Sequence, residues 1–288
     1  MVLALDSSTS TLSLALLHAG HICAERWFHP PERSSVVLPG AAFEMLAEQG
    51  LVAKQLRGVA VGLGPGSFTG LRIALSMAKA LAYAASLPLA GVSSLKALAL
   101  EGPIGRPLWA TTVFRKGEVF AGLFLRTPEG ALIELEAEQT FKVAQLAKRL
   151  QHSPESLALG FGIHSFREAF LAEGVPPQQL PLCPTWPSAA AIAQLAHFAP
   201  FDKKTLFSLA PSYLRGSGAE ANPLFAQNRQ ATPSTPGTPS LPDTPSLPDT
   251  PAMPGTQAMP SAPGRPDTPS TQATPGTPGD TLNTGEAL

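Results

Sequence analysis

Cysteine is nearly missing from this chain: there are two in 288 residues, Cys23 and Cys183. Neither lies in a CxxC pair or at metal-ligand spacing, which excludes a disulfide framework and a thiolate metal site. Two reduced, packed thiols are expected. An excess of either charge is also missing, with 20 Lys and Arg against 21 Asp and Glu. The formal net charge is −1, so no global field draws the chain to nucleic acid or to an anionic membrane. There is no run of 18 or more apolar residues to span a bilayer. The opening has no basic segment, and Asp6 interrupts its apolar start, which argues against a signal peptide. A soluble, cytoplasmic protein is expected.

From about residue 230 onward Val, Ile, Phe, Tyr, Trp, Lys, His and Cys are all absent. A stretch of Pro, Thr, Ser, Gly and Ala cannot bury enough apolar surface to offset the entropy of ordering. Residues 229–288 are therefore expected to be a disordered tail. The hexapeptide SLPDTP occurs there at 240–245 and again at 246–251, with proline spacing that favours extended, polyproline-like segments.

The rest of the chain carries the core. VLALD, LSLALLHAG and HICAERWF read as three successive strands with turns at SSTST and Gly20, an antiparallel meander. Residues 36–49 have helical spacing, with Pro39 and Gly40 in the first turn. A strand at 58–61, a helix at 71–85, a strand at 88–93 and a helix capped by Ser93 or Ser94 follow. The pattern then restarts: PLWATTVF, GEVFAGLFLR and ALIELEAEQ read as strands, KVAQLAKRL as an amphipathic helix, and SLALGFG as a strand. SFREAFLAEG and residues 188–199 read as helices, before a short PSYLR segment. Meanders followed by helices occur twice, so an α/β protein of two similar halves is expected, 1–100 and 101–228.

The segment GLGPGSFTGLR (62–72) raises the question of chemistry. A GxxxxGK[ST] phosphate loop needs Lys and a hydroxyl after its last Gly, where this chain has Leu71 and Arg72. GxGxxG fails because Gly66 is followed by Ser67, Phe68 and Thr69 before Gly70. A serine nucleophile elbow fails because Pro65 and Thr69 flank Ser67 where glycines are needed. What remains is a strand–loop–helix junction, either a structural turn or an anion site at a helix N-terminus. Asp6 with Ser7, Ser8 and Thr9, together with Gly64 and Gly66, forms the candidate nucleotide or anion site, since a carboxylate beside small hydroxyls can place magnesium next to phosphate. The same residues also make ordinary turns. No metal site is expected: HExxH is absent and the six histidines are scattered. No catalytic residue is assigned. The helix LRIALSMAKALAYAAS is apolar nearly all round, so it is either sandwiched in the interior or packed on a partner's helix. The candidate interface residues on the two helices are Leu38, Ala42, Met45, Leu46, Leu71, Ala74, Leu75, Ala78, Leu81 and Ala82.

ALDSSTSTLSLAL and VGLGPGSFTGLRIALSMAKALAYAASLPLAGVSSLKALA together strongly resemble the bacterial TsaB family, also called YeaZ. RKGEVF (115–120) and PSYLR (211–215) fit its later blocks, so the resemblance runs over about residues 1–220. It implies an actin-like ATPase (ASKHA) fold with two duplicated α/β halves. It also implies a non-catalytic partner of a paralogue, TsaD, which transfers threonylcarbamoyl to adenosine 37 of tRNAs reading ANN codons, joined by an ATPase, TsaE. Such a chain would reach tRNA indirectly and could pair with its own copy through the same helical face. It would hold no cofactor beyond weak ATP or ADP with magnesium at a complex interface. The catalytic paralogue carries metal-binding histidines on its first helix, whereas here Ser34, Ser35, Val36 and Val37 stand in that region. The family commonly shows an Asp-Ala-Arg segment before GEVY; this chain has Val113-Phe114-Arg115 and lacks the acid. The competing reading is a stand-alone ATPase or small-molecule kinase of the same fold, built on Asp6 and the glycine loop.

Overall fold

The computed structural model describes residues 1–29, 34–182 and 185–212. Cys183, most of PSYLR and the Pro/Thr-rich tail lie outside them.

The first sheet is built from β1 (Val2–Asp6), β2 (Leu12–His18), β3 (His21–Phe28), β4 (Gly58–Gly62) and β5 (Leu89–Val92), in the order β3-β2-β1-β4-β5. The β1–β2–β3 meander is antiparallel, while β4 and β5 add in parallel after helical crossovers. Those crossovers are α1 (Ser34–Glu48) and α2 (Phe68–Ala85), and α3 (Ser94–Leu100) follows β5. The second sheet repeats the scheme. It consists of β6 (Pro107–Arg115), β7 (Glu118–Arg126), β8 (Leu132–Lys142) and β9 (Leu157–Leu159), in the order β8-β7-β6-β9, with β9 parallel to β6. Around it lie α4 (Val143–His152), α5 (Phe161–Ser165) and α6 (Arg167–Ala172). The duplication expected from the repeated strand pattern is thus present in the topology.

Side-chain size assigns each strand face its partner. On β1 and β4 the large residues Leu3, Leu5, Val59 and Val61 point one way and join Leu38, Met45, Ala74 and Ala78 of α1 and α2 in one core. The alternate residues Ala4 and Ala60 point the other way, against α7 (Ala189–Leu195). Strand side chains alternate between faces, and the alanines on both sides let α7 lie close to the sheet. Helix α3 sits between the sheets. Its Ala97 and Leu100 pack toward the first, and its Leu95, Leu98 and Ala99 pack toward Leu108, Ala110, Phe120 and Phe124 of the second. The remaining face of the second sheet holds Trp109, Val119 and Phe141 against Leu146 and Leu150 of α4 and Phe170 of α6.

Several boundaries differ from the sequence reading. Helix α1 begins at Ser34, so Pro39 lies inside it rather than in its first turn and forgoes one backbone hydrogen bond there. Helix α2 begins three residues early because the Ser67 hydroxyl accepts from the Gly70 amide at 3.2 Å and caps it. SLALGFG is not one strand. Gly160, at φ +109°, ends β9 and α5 follows at once. Helix α8 (Lys203–Ser208) went unread, although Asp202 caps it by accepting from the Thr205 amide at 2.7 Å. The boundary of the second half also shifts, because α7 and α8 return to the first sheet and to α2, where Leu206 joins the first core. Cys23 is exposed, not packed, since the edge strand β3 turns it toward solvent.

Candidate functional site

Asp6 ends β1 and is 1% exposed. Its Oδ1 accepts from the Ser8 amide at 2.9 Å and from the Ser8 hydroxyl at 2.7 Å. Its Oδ2 accepts from the Ser94 hydroxyl at 2.6 Å, and Ser94 Oγ in turn accepts from the Gly64 amide at 3.1 Å. One carboxylate therefore ties β1, the β1–β2 turn, the glycine loop and the start of α3 together. Burial pushes the Asp6 carboxyl above its ordinary range, and the hydrogen bonds from Ser94 and Ser8 only partly oppose that.

The glycines explain how the loop comes so close. A Cβ at Gly62 would lie 1.9 Å from Asp6 Oδ2, one at Gly66 would lie 2.0 Å from the Ser8 carbonyl oxygen, and one at Gly70 would lie 1.9 Å from the Ser7 carbonyl oxygen. The Ser67 amide donates to the Ser8 carbonyl at 2.6 Å. The loop is thereby pressed onto the SSTST turn, and Ser212 closes the assembly by donating its amide to the Leu63 carbonyl. Gly64 adopts φ +88° and precedes Pro65 through a cis peptide bond.

Asp6 and Gly64 meet through Ser94, Gly66 lies against Ser8, and Ser7 and Thr9 belong to the same turn as Ser8. Their polar groups, however, turn toward one another. Asp6, Ser7 and Ser8 are each about 1% exposed, Gly64 is buried, and the Thr9 hydroxyl accepts from the Thr11 amide. Both oxygens of the Asp6 carboxylate are thus engaged by hydrogen bonds from within the fold. Ser94 went unrecognised. The SS pair offered two caps, and only the tertiary arrangement shows that Ser93 caps α3 while Ser94 reaches Asp6.

The ten candidate interface residues need correction. Leu38, Ala42, Met45, Leu46, Leu71, Ala74, Leu75, Ala78, Leu81 and Ala82 are all at most 8% exposed and form the chain's own core. A side chain packed to that degree meets no partner while the fold stays closed. The solvent side of the same helices presents Gly40, Phe43 and Ala47 on α1, and Arg72, Ser76, Ala80 and Ala84 at four-residue intervals on α2. Phe43 is 57% exposed.

At Val113–Arg115, where the acid is missing, β6 runs into a tight hairpin. The Arg115 guanidinium donates to both Glu118 oxygens at 3.0 Å, and the Phe114 and Phe120 rings meet at 4.6 Å. Among the described residues no group of three His, Cys, Asp or Glu is arranged to hold a metal ion, and no helix is long and apolar enough to cross a membrane.

Two sheets of matching strand order, sharing a central helix, define an actin-like α/β protein whose β1–β2 turn is closed by the neighbouring glycine loop. Residues 31–176 match the family described as TsaD: tRNA N6-adenosine threonylcarbamoyltransferase. The chain is 34% identical to the tRNA threonylcarbamoyladenosine biosynthesis protein TsaB of Escherichia coli, over 56% of this chain and 71% of that protein. It is 32% identical to the protein of the same name from Bacillus subtilis, over 52% of this chain and 66% of the relative, just under two thirds of that relative's length. The solved YeaZ from Pseudomonas aeruginosa superposes with a TM-score of 0.59 at 24% identity, covering 74% of this chain and 98% of that one. This chain belongs to the TsaB (YeaZ) family.

Proposed function

We propose that this chain is a non-catalytic subunit in the biosynthesis of threonylcarbamoyladenosine on tRNA, binding and supporting a TsaD-type transferase, with a TsaE-type ATPase as third partner. Family membership supports the pathway. The observation that supports a scaffolding role is the closed Asp6 site, in which the carboxylate and the glycine loop are occupied with holding the fold together. The exposed ridge of α1 and α2 supplies the docking face. Phe43 is an aromatic anchor, and Ala47, Ser76, Ala80 and Ala84 are small enough for a second pair of helices to approach closely.

The test is gel filtration with light scattering of the full chain, alone and mixed with the TsaD-like protein of the same organism. A one-to-one complex is expected, lost in Phe43→Glu and Ala80→Glu while both variants keep the parent melting temperature. Ala78→Glu is no substitute, because Ala78 is fully buried and the charge would unfold the chain. Separate peaks for the two parent proteins would refute the partner reading. Magnesium-dependent nucleotide turnover by the isolated chain, lost in Asp6→Ala, would favour a stand-alone ATPase or kinase.

A further inference from the structure

On the opposite face of the first sheet from α1 and α2, helix α7 covers β1, β2 and β4. The same face of the edge strand β3 carries Glu25 and Trp27, which pair across from Ala15 and Ser13 of β2. These two side chains, the end of α3, the end of β7 and residues 185–194 bound an open cleft of about 550 Å³, within the usual range for small-molecule sites.

The cleft wall is polar in a particular way. Arg126, at the end of β7, is half-buried and makes no ion pair among the described residues, and its Nε is buried without a hydrogen-bond partner. The indole nitrogen of Trp186 and the hydroxyl of Thr185 are buried and unpartnered beside it. Glu25 and Glu101 stand on the cleft as well. They lie close enough that Glu101, after partial burial, raises the Glu25 carboxyl above its ordinary range, while a hydrogen bond from Trp27 opposes this. The Ser188 hydroxyl donates to Glu101 Oε1 at 2.6 Å and fixes it. The cleft wall thus carries one guanidinium that makes no ion pair among the described residues and two carboxylates. A dipolar molecule satisfies both walls, and the exposed faces of Trp27 and Ile22 offer its apolar part a surface.

We propose that this cleft binds a free α-amino acid, with its carboxylate on Arg126, its ammonium group between Glu25 and Glu101, and its side chain against Trp27 and Trp186.

The experiment is calorimetric titration of the full chain with glycine, L-threonine, L-leucine and L-phenylalanine, with tryptophan fluorescence as a second readout. L-leucinamide lacks the carboxylate, and N-acetyl-L-leucine lacks the ammonium group. Saturable binding of at least one free amino acid is expected, with both leucine derivatives weaker than leucine by about 10-fold or more. Arg126→Gln should weaken leucine but not leucinamide, and Glu25→Gln should weaken leucine but not its N-acetyl form. The derivatives test the assignment even where a variant fails to fold. No saturation by any of the four up to about 10 mM, or derivatives that bind as tightly as leucine, would overturn the proposal. Because the cleft lies across the sheet from α1 and α2, Phe43→Glu should leave amino-acid binding unchanged. Failure of complex formation and failure of amino-acid binding are thus separate outcomes.

Discussion

Two glycines in two neighbouring helices should respond to the same substitution with opposite signs. Gly70 lies in the first turn of α2, where alanine is the better helix former by about 1 kcal/mol. On propensity alone Gly70→Ala should stabilise. Its Cβ, however, would lie 1.9 Å from the Ser7 carbonyl oxygen, about 1.5 Å short of ordinary contact in a close-packed interior. The obstacle is backbone, pinned through Asp6 and Ser8, so it cannot rotate aside as a side chain would. Overpacking of this kind costs about 1–3 kcal/mol and more where nothing yields. A cost of about 3 kcal/mol or more outweighs the helix gain and leaves a net loss of about 2 kcal/mol or more. At about 2–4 °C per kcal/mol for a domain of this size, the melting temperature should fall by roughly 5 °C or more. Gly40 in α1 is the control, since a Cβ there meets nothing within 4 Å. Gly40→Ala should keep the propensity gain and raise the melting temperature by about 2–4 °C. Calorimetry or thermal circular dichroism on both variants reads the difference. A Gly70→Ala protein melting at or above the parent temperature would refute the claim that the loop is pressed onto the SSTST turn.

Adjacent serines should differ as well. Ser93→Ala removes the cap of α3, at a cost of about 1 kcal/mol, and a part-buried hydrogen bond to Glu138 worth about 1 kcal/mol more. Ser94→Ala strips a buried carboxylate and a buried amide of their shared partner and should cost about 3 kcal/mol. Urea unfolding of the two variants distinguishes them, and equal losses would count against the Asp6 network. The raised Asp6 pKa also fixes a pH trend. The native state holds that proton at pH values where the unfolded chain has released it, so the contribution of Asp6 to stability falls as pH rises from about 4 through the folded pKa. Asp6→Asn abolishes the titration, and its stability relative to the parent should climb over that window and then level off. A flat or opposite trend in denaturant unfolding at a series of pH values would show that burial does not dominate at this carboxyl.

The repeated meander was legible because strand periodicity and turn residues are local signals, and β1 to β3 and β6 to β8 fall close to where alternation and glycines put them. Helix α8 was missed because six residues carry too little periodicity to be heard, and only the Asp202 cap marked it. The apolar helix α2 could not declare its own surroundings. Apolar residues on every side mean either core or interface, and the buried set Leu71, Ala74, Leu75, Ala78, Leu81 and Ala82 went to the core.

By itself, the sequence determined the class of fold and the family. Both follow from periodicity and from residue order. The tertiary structure alone decided that Asp6 holds the fold together, that Ser94 and not Ser93 serves it, and that Glu25, Glu101 and Arg126 share one cleft. Those three cleft residues are spread from Glu25 to Arg126, 101 positions apart. No local pattern encodes such a distance; the packing of α3 between the sheets and of α7 against the first sheet creates it.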